Sequence, residues 1–498
     1  MLCSALLVAA LTCLHIYMRL LNRRDRRMLA HLPTYSCLPF IGNMHRFIGD
    51  GERALRHLDK ISQITEKTGK PFVVWVGQRC FLVLADLEET KIVANAFIEK
   101  PYYYKFAHMW LRDGLLTAPG CVWRSNVKKI SGTFKGVMVD GFLPIFNERA
   151  EKLAKLLEGE SNKEPFDMTH KYLAFIALEA IFQTALSKSE KVENTVTENY
   201  YNASQRLLEL IFDRSLNIFL HPEWIYSLTP AYREMKRCVR VIHEASEAIL
   251  KIRRNELEVE KTTIAQKTTD AGDEPFRSFL DTLLDMSSTD DALTDSQIQA
   301  EVNTIILAGQ ETVTTAVNFV FLMLGCRPDV QRTLYEEVKE VFGERKRAVL
   351  KEDLPRLKYC EAVILETMRL LPPVPGVLRS ADHDLDLGSY TVPRGATCCL
   401  NLWGLGRSRR LWSDALCYRP ERWLHPNNEP ALPILNFSIG RRACIGKRYA
   451  LSLMKIIIVH CVREFEFTSE AENLALRVDI SLRPASGHLI CVRSRKTK

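Results

Sequence analysis

The sequence predicts a mainly helical α+β protein with a minor β region. Two short apolar runs in the first hundred residues read as strands, and long stretches with charge pairs at helical spacing follow them. A chain of 498 residues with 47% hydrophobic content can bury a large core. Length alone would suggest about three domains. Because no linker rich in Gly, Ser or Pro divides the chain, one large domain is as plausible.

The first 22 residues are predicted to be a transmembrane anchor. Met1 to Met18 is apolar apart from three polar residues, and basic residues follow at Arg23, Arg24, Arg26 and Arg27. Roughly 20 apolar residues can span a bilayer as a helix, and a basic flank keeps the rest of the chain in the cytosol. The alternative is a cleaved signal peptide, but the segment lacks a positive start and its charged flank is on the wrong side.

Residues 23–43 are expected to form a basic, proline-containing hinge, and residues 44–498 the main domain. Pro33 and Pro39 stiffen the hinge because a proline ring fixes φ.

Along the main domain the predicted elements follow one another in order. The strands are Phe72 to Val76 and Phe81 to Ala85 with a turn at Gly77 to Arg79, and the helices include Glu148 to Glu158, Tyr232 to Glu260, a long one from Leu293, Tyr359 to Leu371, and Lys447 to Val462. Thr294 and Gln297 stand at capping-box spacing. Thr262 to Glu274 is expected to be a mobile surface loop, and Leu387 to Leu402 a second β region.

Composition excludes several functions. The net charge of +8 is spread widely, without the clustered Lys/Arg and interleaved aromatics that nucleic-acid binding needs. The 14 cysteines include no CxxC pair and no spacing typical of a zinc site or a disulfide framework. A reducing compartment is the better expectation.

The most informative segment is Phe437 to Gly446, which reads F-S-I-G-R-R-A-C-I-G. Cys444 precedes a predicted helix, and a helix N-terminus with neighbouring Arg441 and Arg442 is expected to lower its pKa and favour the metal-ligating thiolate. Gly440 and Gly446 allow close approach to a flat partner. Phe437 can shield the sulfur, and Arg442 can meet a carboxylate.

These features fit a cysteine thiolate as axial ligand of a haem iron, whereas a lone cysteine is more often simply buried in a loop. All the fixed positions of F-x-x-G-x-R-x-C-x-G are filled, and the stretch resembles the haem-binding signature of the cytochrome P-450 family. The resemblance implies the cytochrome P-450 fold with heme b (iron protoporphyrin IX), held through Cys444.

A second motif, A-G-Q-E-T-V from Ala308 to Val313, lies in the long helix. Gly309 costs about 1 kcal/mol there relative to Ala, and Thr312 lies over the same face. A small residue and a hydroxyl can make room for dioxygen, although helix packing explains such a string about as often. By resemblance to the oxygen-activation motif of the family, Thr312 and Glu311 are the catalytic hydroxyl and its acidic neighbour, and Ala308 and Gly309 border the haem.

A third set of residues matches structural elements of the family. Glu366 and Arg369 lie at i, i+3 among apolar residues, and Arg422 of P-E-R-W can add a further charge. By resemblance these three form the structural triad that holds the cysteine loop, and they are assigned to folding and haem retention.

Trp123 and Arg379 match positions that meet haem propionates. The family usually carries an arginine four residues after the tryptophan, and here that position is Val127. Arg124 and Lys128 are the neighbouring basic residues that could reach round the helix.

The resemblance covers nearly the whole chain and is strongest to the family-four clan of animal enzymes, through G-L-L-T, N-T-I-I-L-A-G-Q-E-T and P-E-R-W. Many clan members carry a haem-esterifying Glu where Ala308 stands. Haem is therefore expected to be held only by Cys444 and packing.

The function implied is a microsomal monooxygenase of the endoplasmic reticulum membrane, facing the cytosol, that uses O2 on a lipophilic small molecule. Electrons would come from NADPH through NADPH–cytochrome P-450 reductase, with cytochrome b5 as a second candidate partner, because the chain has no G-x-G-x-x-G site. Lys128, Lys129, Lys447 and Arg448 are expected to form a basic face on which the reductase docks. Ordinary solvated surface charges explain these four residues equally well. The alternatives are a haem-thiolate isomerase or dehydratase that does not use O2, and a non-catalytic haem or ligand carrier.

The substrate pocket is expected to be apolar. Its lining by resemblance comprises Phe106 to Leu111, Ala308, Val374 to Leu378 and Ala485 to Ser486. Fatty acids, pheromones, hormones and xenobiotics all satisfy this lining.

Overall fold

Helices form most of the molecule, which confirms the predicted fold class. The computed structural model describes residues 2–84, 86–187, 198–266, 277–286, 293–343, 346–424 and 435–495. The α-helices with their bounds are Leu2–Leu21, Arg23–Met28, Gly51–Thr68, Leu87–Ala96, His108–Leu111, Gly120–Ile130, Gly136–Gly141, Leu143–Glu158, Ala174–Ala185, Glu198–Leu216, Glu223–Tyr226, Pro230–Gln266, Phe279–Met286, Asp295–Cys326, Pro328–Phe342, Lys358–Leu370, Leu402–Gly406 and Lys447–Glu464.

A four-stranded sheet lies beside the helices. Its strands stand in the order β1 (Phe72–Val76), β2 (Arg79–Val83), β6 (Thr397–Leu400) and β3 (Val377–Ser380). β1 and β2 form an antiparallel hairpin, and β2 then pairs in parallel with β6, with Phe81 opposite Thr397. The parallel pair joins the two predicted β regions into one sheet.

Three two-stranded sheets complete the β structure of the described residues. They pair β4 (Leu385–Asp386) with β5 (Thr391–Val392), β7 (Phe465–Ser469) with β10 (Ile490–Ser494), and β8 (Ala475–Asp479) with β9 (Ser481–Ser486). The four strands after the last helix were not predicted, although Phe465, Glu466 and Phe467 of β7 alternate between buried and exposed positions.

The helix Asp295–Cys326, here called the central helix, runs through the core. Thr294 caps it: its hydroxyl accepts from the N–H of Gln297, and the Gln297 side chain returns the bond to the N–H of Thr294. The predicted capping box is confirmed. Most of the helix is buried, and its buried residues include polar side chains such as Glu301 and Glu311 as well as apolar ones.

Two boundaries differ from the sequence prediction. The helix Pro230–Gln266 includes the start of the predicted surface loop, so the loop prediction is wrong for residues 262–266. Helix-forming residues continue along the chain beyond the apolar stripe of the helix, and the helix continues with them. The rest of that loop, residues 267–274, and Ala85 lie outside the described residues. The hairpin turn comprises only Gly77 and Gln78, and Arg79 already belongs to β2.

In the part of the chain that the structure describes, two helices are long and apolar enough to span a membrane. In Leu2–Leu21 the span Ser4–Leu21 has a mean hydropathy of 1.7 and none of it is buried, whereas 72% of the span in the central helix is buried inside the protein. The second is therefore a core helix, and the N-terminal helix is the candidate anchor.

The predicted hinge packs directly on the sheet. The Arg26 guanidinium lies 4.1 Å from the centre of the Trp75 ring, Leu29 is buried, and the carbonyl of Pro33 accepts from the N–H of Val73. The anchor is thereby joined to the body of the protein by a segment that is held in place.

Candidate active site

The segment from Phe437 to Gly446, here called the cysteine loop, is shaped by its glycines. Gly440 has φ +74°, and a Cβ there would come within 2.5 Å of the carbonyl oxygen of Ala94, so only glycine fits. The N–H of Cys444 donates to the carbonyl of Phe437 at 2.9 Å and closes the loop. The helix Lys447–Glu464 begins directly after it.

The Cys444 side chain has accessible surface, although protein atoms surround its thiol on most sides. The thiol therefore faces internal space. Burial raises the pKa of its thiol, partly offset by the N–H of Gly446 and the charge of Lys447. The expectation that Arg441 and Arg442 lower this pKa is therefore wrong for the protein alone. A bound metal cation would reverse the balance, because a coordinating thiol loses its proton outright.

Arg442 points away from the sulfur. Its guanidinium donates to the carbonyls of Ile98, Leu115 and Ala118 at 3.1, 2.9 and 2.7 Å. It also lies 4.5 Å from the centre of the Trp123 ring. Burial, and then the nearby charge of Arg379, lower the pKa of Arg442 to about 10.

Arg379 is the other predicted propionate residue, and it is 1% exposed. One of its guanidinium nitrogens donates to the carbonyl of Leu378, while its Nε has no hydrogen-bond partner. Burial lowers its pKa. A buried guanidinium without a carboxylate partner is costly, and an anionic group beside it would remove the cost.

The helix Gly120–Ile130 carries Trp123 on its buried face. Val127 lies on the same side and is partly buried, whereas Arg124 and Lys128 are exposed. Both basic residues therefore lie off the buried face of the helix that carries Trp123.

The central helix, which is otherwise mostly buried, is partly exposed at the A-G-Q-E-T motif. Ala308 is exposed although the helix on either side is buried. The Thr312 hydroxyl donates to the carbonyl of Ala308 at 2.7 Å, the diverted bond that a helical threonine can make. A Cβ on Gly309 would come within 2.6 Å of Ile181, so Gly309 allows the helix Ala174–Ala185 to pack closely.

Glu311 is buried and held by three donors. Its Oε1 accepts from Ser481 at 2.6 Å and from Arg483 at 2.8 Å, and its Oε2 accepts from Gln205 at 3.1 Å. Burial raises its pKa, but the Arg483 charge and these bonds outweigh burial and leave the pKa below its ordinary value. The carboxyl group is therefore ionised, and it must exchange a donor before it can pass a proton.

The predicted triad forms one buried cluster. Glu366 is 0% and Arg369 1% exposed. The Nε and Nη2 of Arg369 donate to the two carboxylate oxygens of Glu366, each at 2.8 Å. Arg422 donates its Nε–H to the same carboxylate at 3.1 Å, and the indole N–H of Trp423 adds a bond at 3.0 Å. Although burial raises the pKa of Glu366, these cations hold it below its ordinary value.

The cluster is linked to the cysteine loop through Asn436. Its side-chain amide donates to the carbonyl of Leu365, next to Glu366, at 2.9 Å. Arg369 also donates to the carbonyls of Gly406 and Ala415, at 2.5 and 2.6 Å. One helix thus fixes the start of the loop and two further segments.

Sequence reasoning missed the partners that complete these sites. Asn436 directly precedes Phe437, and Arg483 directly precedes the C-terminal Pro484 turn, but neither belongs to a recognisable motif. Glu301 was also missed. It is buried, accepts from the N–H of Leu115 and from Asn126, and has a pKa raised by burial to about 7.

The residues present fit a haem. The thiol of the glycine-shaped loop is accessible, and Ala308 leaves room on the central helix. Arg379 is buried with its Nε unpaired, and Arg442, which belongs to the cysteine loop, is half-buried and bonded only to backbone carbonyls. Cys444 would hold the iron, and Arg379 and Arg442 would meet the propionates. This fold and site define a haem-thiolate protein.

Comparison with known proteins gives the same result. The family model described as Cytochrome P450 matches residues 32–492. Cytochrome P450 4c21 of Blattella germanica is 31% identical over 95% of both chains. Cytochrome P450 4V2 of Homo sapiens is 31% identical over 95% of this chain and 91% of its own, and the Mus musculus protein of that name is 32% identical over 85% and 82%.

The chain belongs to the cytochrome P450 family, and the names of these relatives confirm the predicted family-four clan. It is a cytochrome P450 monooxygenase, and the family implies a haem with a cysteine thiolate ligand and O2 as co-substrate. Membership of the family also implies an electron-donating reductase and lipophilic substrates.

Proposed function

We propose that this enzyme inserts one oxygen atom of O2 into a lipophilic small molecule, by hydroxylation or epoxidation. Electrons come from NADPH through the P-450 reductase, with cytochrome b5 as a second donor. The observation that carries the proposal is the complete cysteine loop, whose thiol faces internal space while its backbone is hydrogen-bonded shut.

The protein's own residues have separate tasks in this reaction. When bound, the haem supplies the oxygen chemistry, which a thiolate ligand favours by donating electron density. Cys444 supplies that ligand, and Phe437, which is 8% exposed, limits water at the loop. Thr312 offers a hydroxyl that holds a proton donor in place, and Glu311 moves protons after it has released one of its three donors.

Thr312→Ala is expected to uncouple NADPH use from product formation. Without the hydroxyl a proton is misdelivered, so more of the reducing power leaves as hydrogen peroxide. We expect the ratio of peroxide to product to rise about a hundredfold, the low end of the range for loss of one proton-transfer group. Haem content is expected to be unchanged, since Cys444 and the Glu366 cluster are untouched.

The measurement is the ratio of hydrogen peroxide to oxidised product, in an assay reconstituted with the reductase and with a substrate that shifts the Soret band. Thr312→Ser is the matched control, because it keeps the hydroxyl and is expected to restore coupling. An unchanged ratio in Thr312→Ala would show that Thr312 only packs the helix. Oxygen consumption in the same assay separates the monooxygenase from an isomerase, a dehydratase or a carrier.

The basic docking face for the reductase is proposed on the side of the cysteine loop. Lys128 and Arg448 are exposed, and Lys129 and Lys447 are partly buried. Arg448 and Lys351 share Asp140 at 2.8 Å, so Arg448 has less free charge than the sequence suggests.

Location in the endoplasmic reticulum membrane, with the catalytic domain in the cytosol, is proposed from the exposed helix Leu2–Leu21 and its basic flank. Deletion of residues 2–22 is expected to move most of the protein from the alkaline-washed membrane pellet to the supernatant. Haem content is expected to differ from that of the wild type by no more than about a tenth, because Arg26 and Leu29, which contact the sheet, are retained.

The deletion is matched by replacing residues 2–22 with an unrelated apolar helix, which is expected to return the protein to the pellet. An N-terminal sequence of the mature protein that begins after residue 22 would contradict the anchor.

A further inference from the structure

We propose that Glu301 is a positioning residue of the active site. Its carboxylate holds residues 112–118, here called the connecting segment, against the central helix, and through Arg442 and its own charge it sets the reduction potential of the haem; this rests on the proposed function. The connecting segment joins the helix His108–Leu111 to the helix Gly120–Ile130.

The carboxylate of Glu301 is shared between two elements that border the site. Its Oε2 accepts from the N–H of Leu115 and its Oε1 from the side-chain amide of Asn126, each at 2.9 Å. Asn126 lies on the buried face of its helix. The segment can come this close because a Cβ on Gly114 would collide with the hydroxyl of Thr304. Both elements are therefore held on the central helix by one carboxylate.

Leu115 connects Glu301 directly to the cysteine loop. Its N–H donates to Glu301, and its carbonyl accepts from the guanidinium of Arg442 at 2.9 Å. The carbonyl of Ala118 accepts from the same guanidinium at 2.7 Å. Arg442 stands two residues before Cys444. Because both acceptors belong to the connecting segment, the bond from Leu115 to Glu301 helps to fix the position of Arg442.

Glu301 also lies close enough for its charge to act on the site. It is on the same face of the central helix as Ala308, seven residues away, which is nearly two full turns and about 10 Å along the axis. The side chain is 0% exposed, so water screens its charge little.

No cation neutralises this carboxylate among the residues that the structure describes. Burial raises the pKa of Glu301 to about 7, opposed only by the bonds from Leu115 and Asn126. Arg112 instead donates to Ser296, at 2.7 Å. The charged groups on the surrounding elements are absent from the causes of this raised pKa; they are Arg112 and Asp113 in the connecting segment, Arg124, Lys128 and Lys129 on the helix Gly120–Ile130, Arg441 and Arg442 in the cysteine loop, and Asp295 and Glu311 on the central helix.

Asn126 allows both charge states of Glu301 without the loss of a bond. A neutral carboxyl group has one O–H donor and keeps an acceptor oxygen, and an asparagine amide that turns over offers its oxygen to that O–H. The acceptor oxygen then keeps the N–H of Leu115. The connecting segment stays in place while the charge changes, so a change of pH near neutrality reports the charge alone.

The test is the ferric/ferrous midpoint potential of the full-length holoenzyme, measured across neutral pH. In wild type the potential is expected to fall as the pH rises through about 7, because the ionised carboxylate disfavours the added electron. A charge about 10 Å away at an effective dielectric constant of about 20 changes the equilibrium constant on the order of tenfold, about 59 mV for one electron. Glu301→Gln keeps both bonds and is expected to hold the potential at its low-pH value throughout.

Two further variants separate this effect from other titrating groups. Asn126→Ala removes a donor to the carboxylate and is expected to move the midpoint of the pH dependence upward. Asp113→Asn is the matched control, since Asp113 is an exposed carboxylate of the same segment, and it is expected to leave the profile unchanged. A pH-dependent step of wild-type size in Glu301→Gln, or an unmoved midpoint in Asn126→Ala, would overturn the proposal.

Glu301→Ala tests the positioning itself. It leaves the N–H of Leu115 without an acceptor and is expected to speed haem transfer to excess apomyoglobin on the order of tenfold, whereas Glu301→Gln is expected to transfer haem at the wild-type rate. Equal rates in Glu301→Ala and wild type would overturn the positioning role. If Glu301→Ala does not fold, the pH profiles of Glu301→Gln and Asn126→Ala decide. A wild-type protein that binds no haem would instead overturn the proposed function.

Discussion

Cys444→Ala is expected to abolish the red-shifted Soret band of the reduced carbon monoxide complex. Thiolate ligation produces that shift, and the cysteine loop presents one sulfur to internal space. The loop itself is expected to survive, because its closing bond joins backbone atoms of residues 444 and 437 and Gly440 keeps its conformation. Monooxygenase activity is expected to be lost with the band.

The measurement is the carbon monoxide difference spectrum, taken with the haem content and the circular dichroism of the same sample. Cys121→Ala is the matched control, since Cys121 is an exposed cysteine on another helix. A normal red-shifted band in folded Cys444→Ala protein would remove the central conclusion about this site.

Glu366→Ala is expected to give the largest loss of stability. The substitution leaves Arg369 and Arg422 buried without their carboxylate, and breaking a buried ion pair costs about 3–5 kcal/mol. Because Asn436 ties the neighbouring Leu365 to the cysteine loop, haem is expected to be lost as the helix loosens. Most of the protein is expected to accumulate without haem.

This prediction is measured as the haem-bound fraction and the free energy of unfolding. Glu88→Ala is the control, because Glu88 forms an exposed surface pair with Lys91 that is worth less than about 1 kcal/mol. Glu366→Asp is expected to recover only part of the stability, since the shorter side chain cannot reach all its donors. Wild-type haem content in Glu366→Ala would assign the cluster a lesser role.

Sequence patterns predicted local structure correctly where the signal comes from residues that are close together in the chain. The capping box at Thr294 and the first strand of the hairpin were found because their signals are short-range. The contacts of Glu366 with Arg369 were also expected, because i, i+3 spacing places them on one helix face.

Predictions that depend on distant segments failed or were absent. The thiol of Cys444 has a pKa raised by burial, and the guanidinium of Arg442 donates instead to three carbonyls from residues 98–118, which no spacing in the loop reveals. The anionic state of Glu311 depends on Arg483, which lies on β9, far along the chain.

The parallel pairing of β2 with β6 has a consequence for how the chain is made. β2 meets its parallel neighbour only when a ribosome has added roughly three hundred further residues, a separation that slows folding. Until then the hairpin presents an open edge of apolar residues, including Phe81 and Leu82, which is a site for aggregation. The growing chain therefore depends on chaperones, or on an early helical cover, until about its first four fifths have left the ribosome.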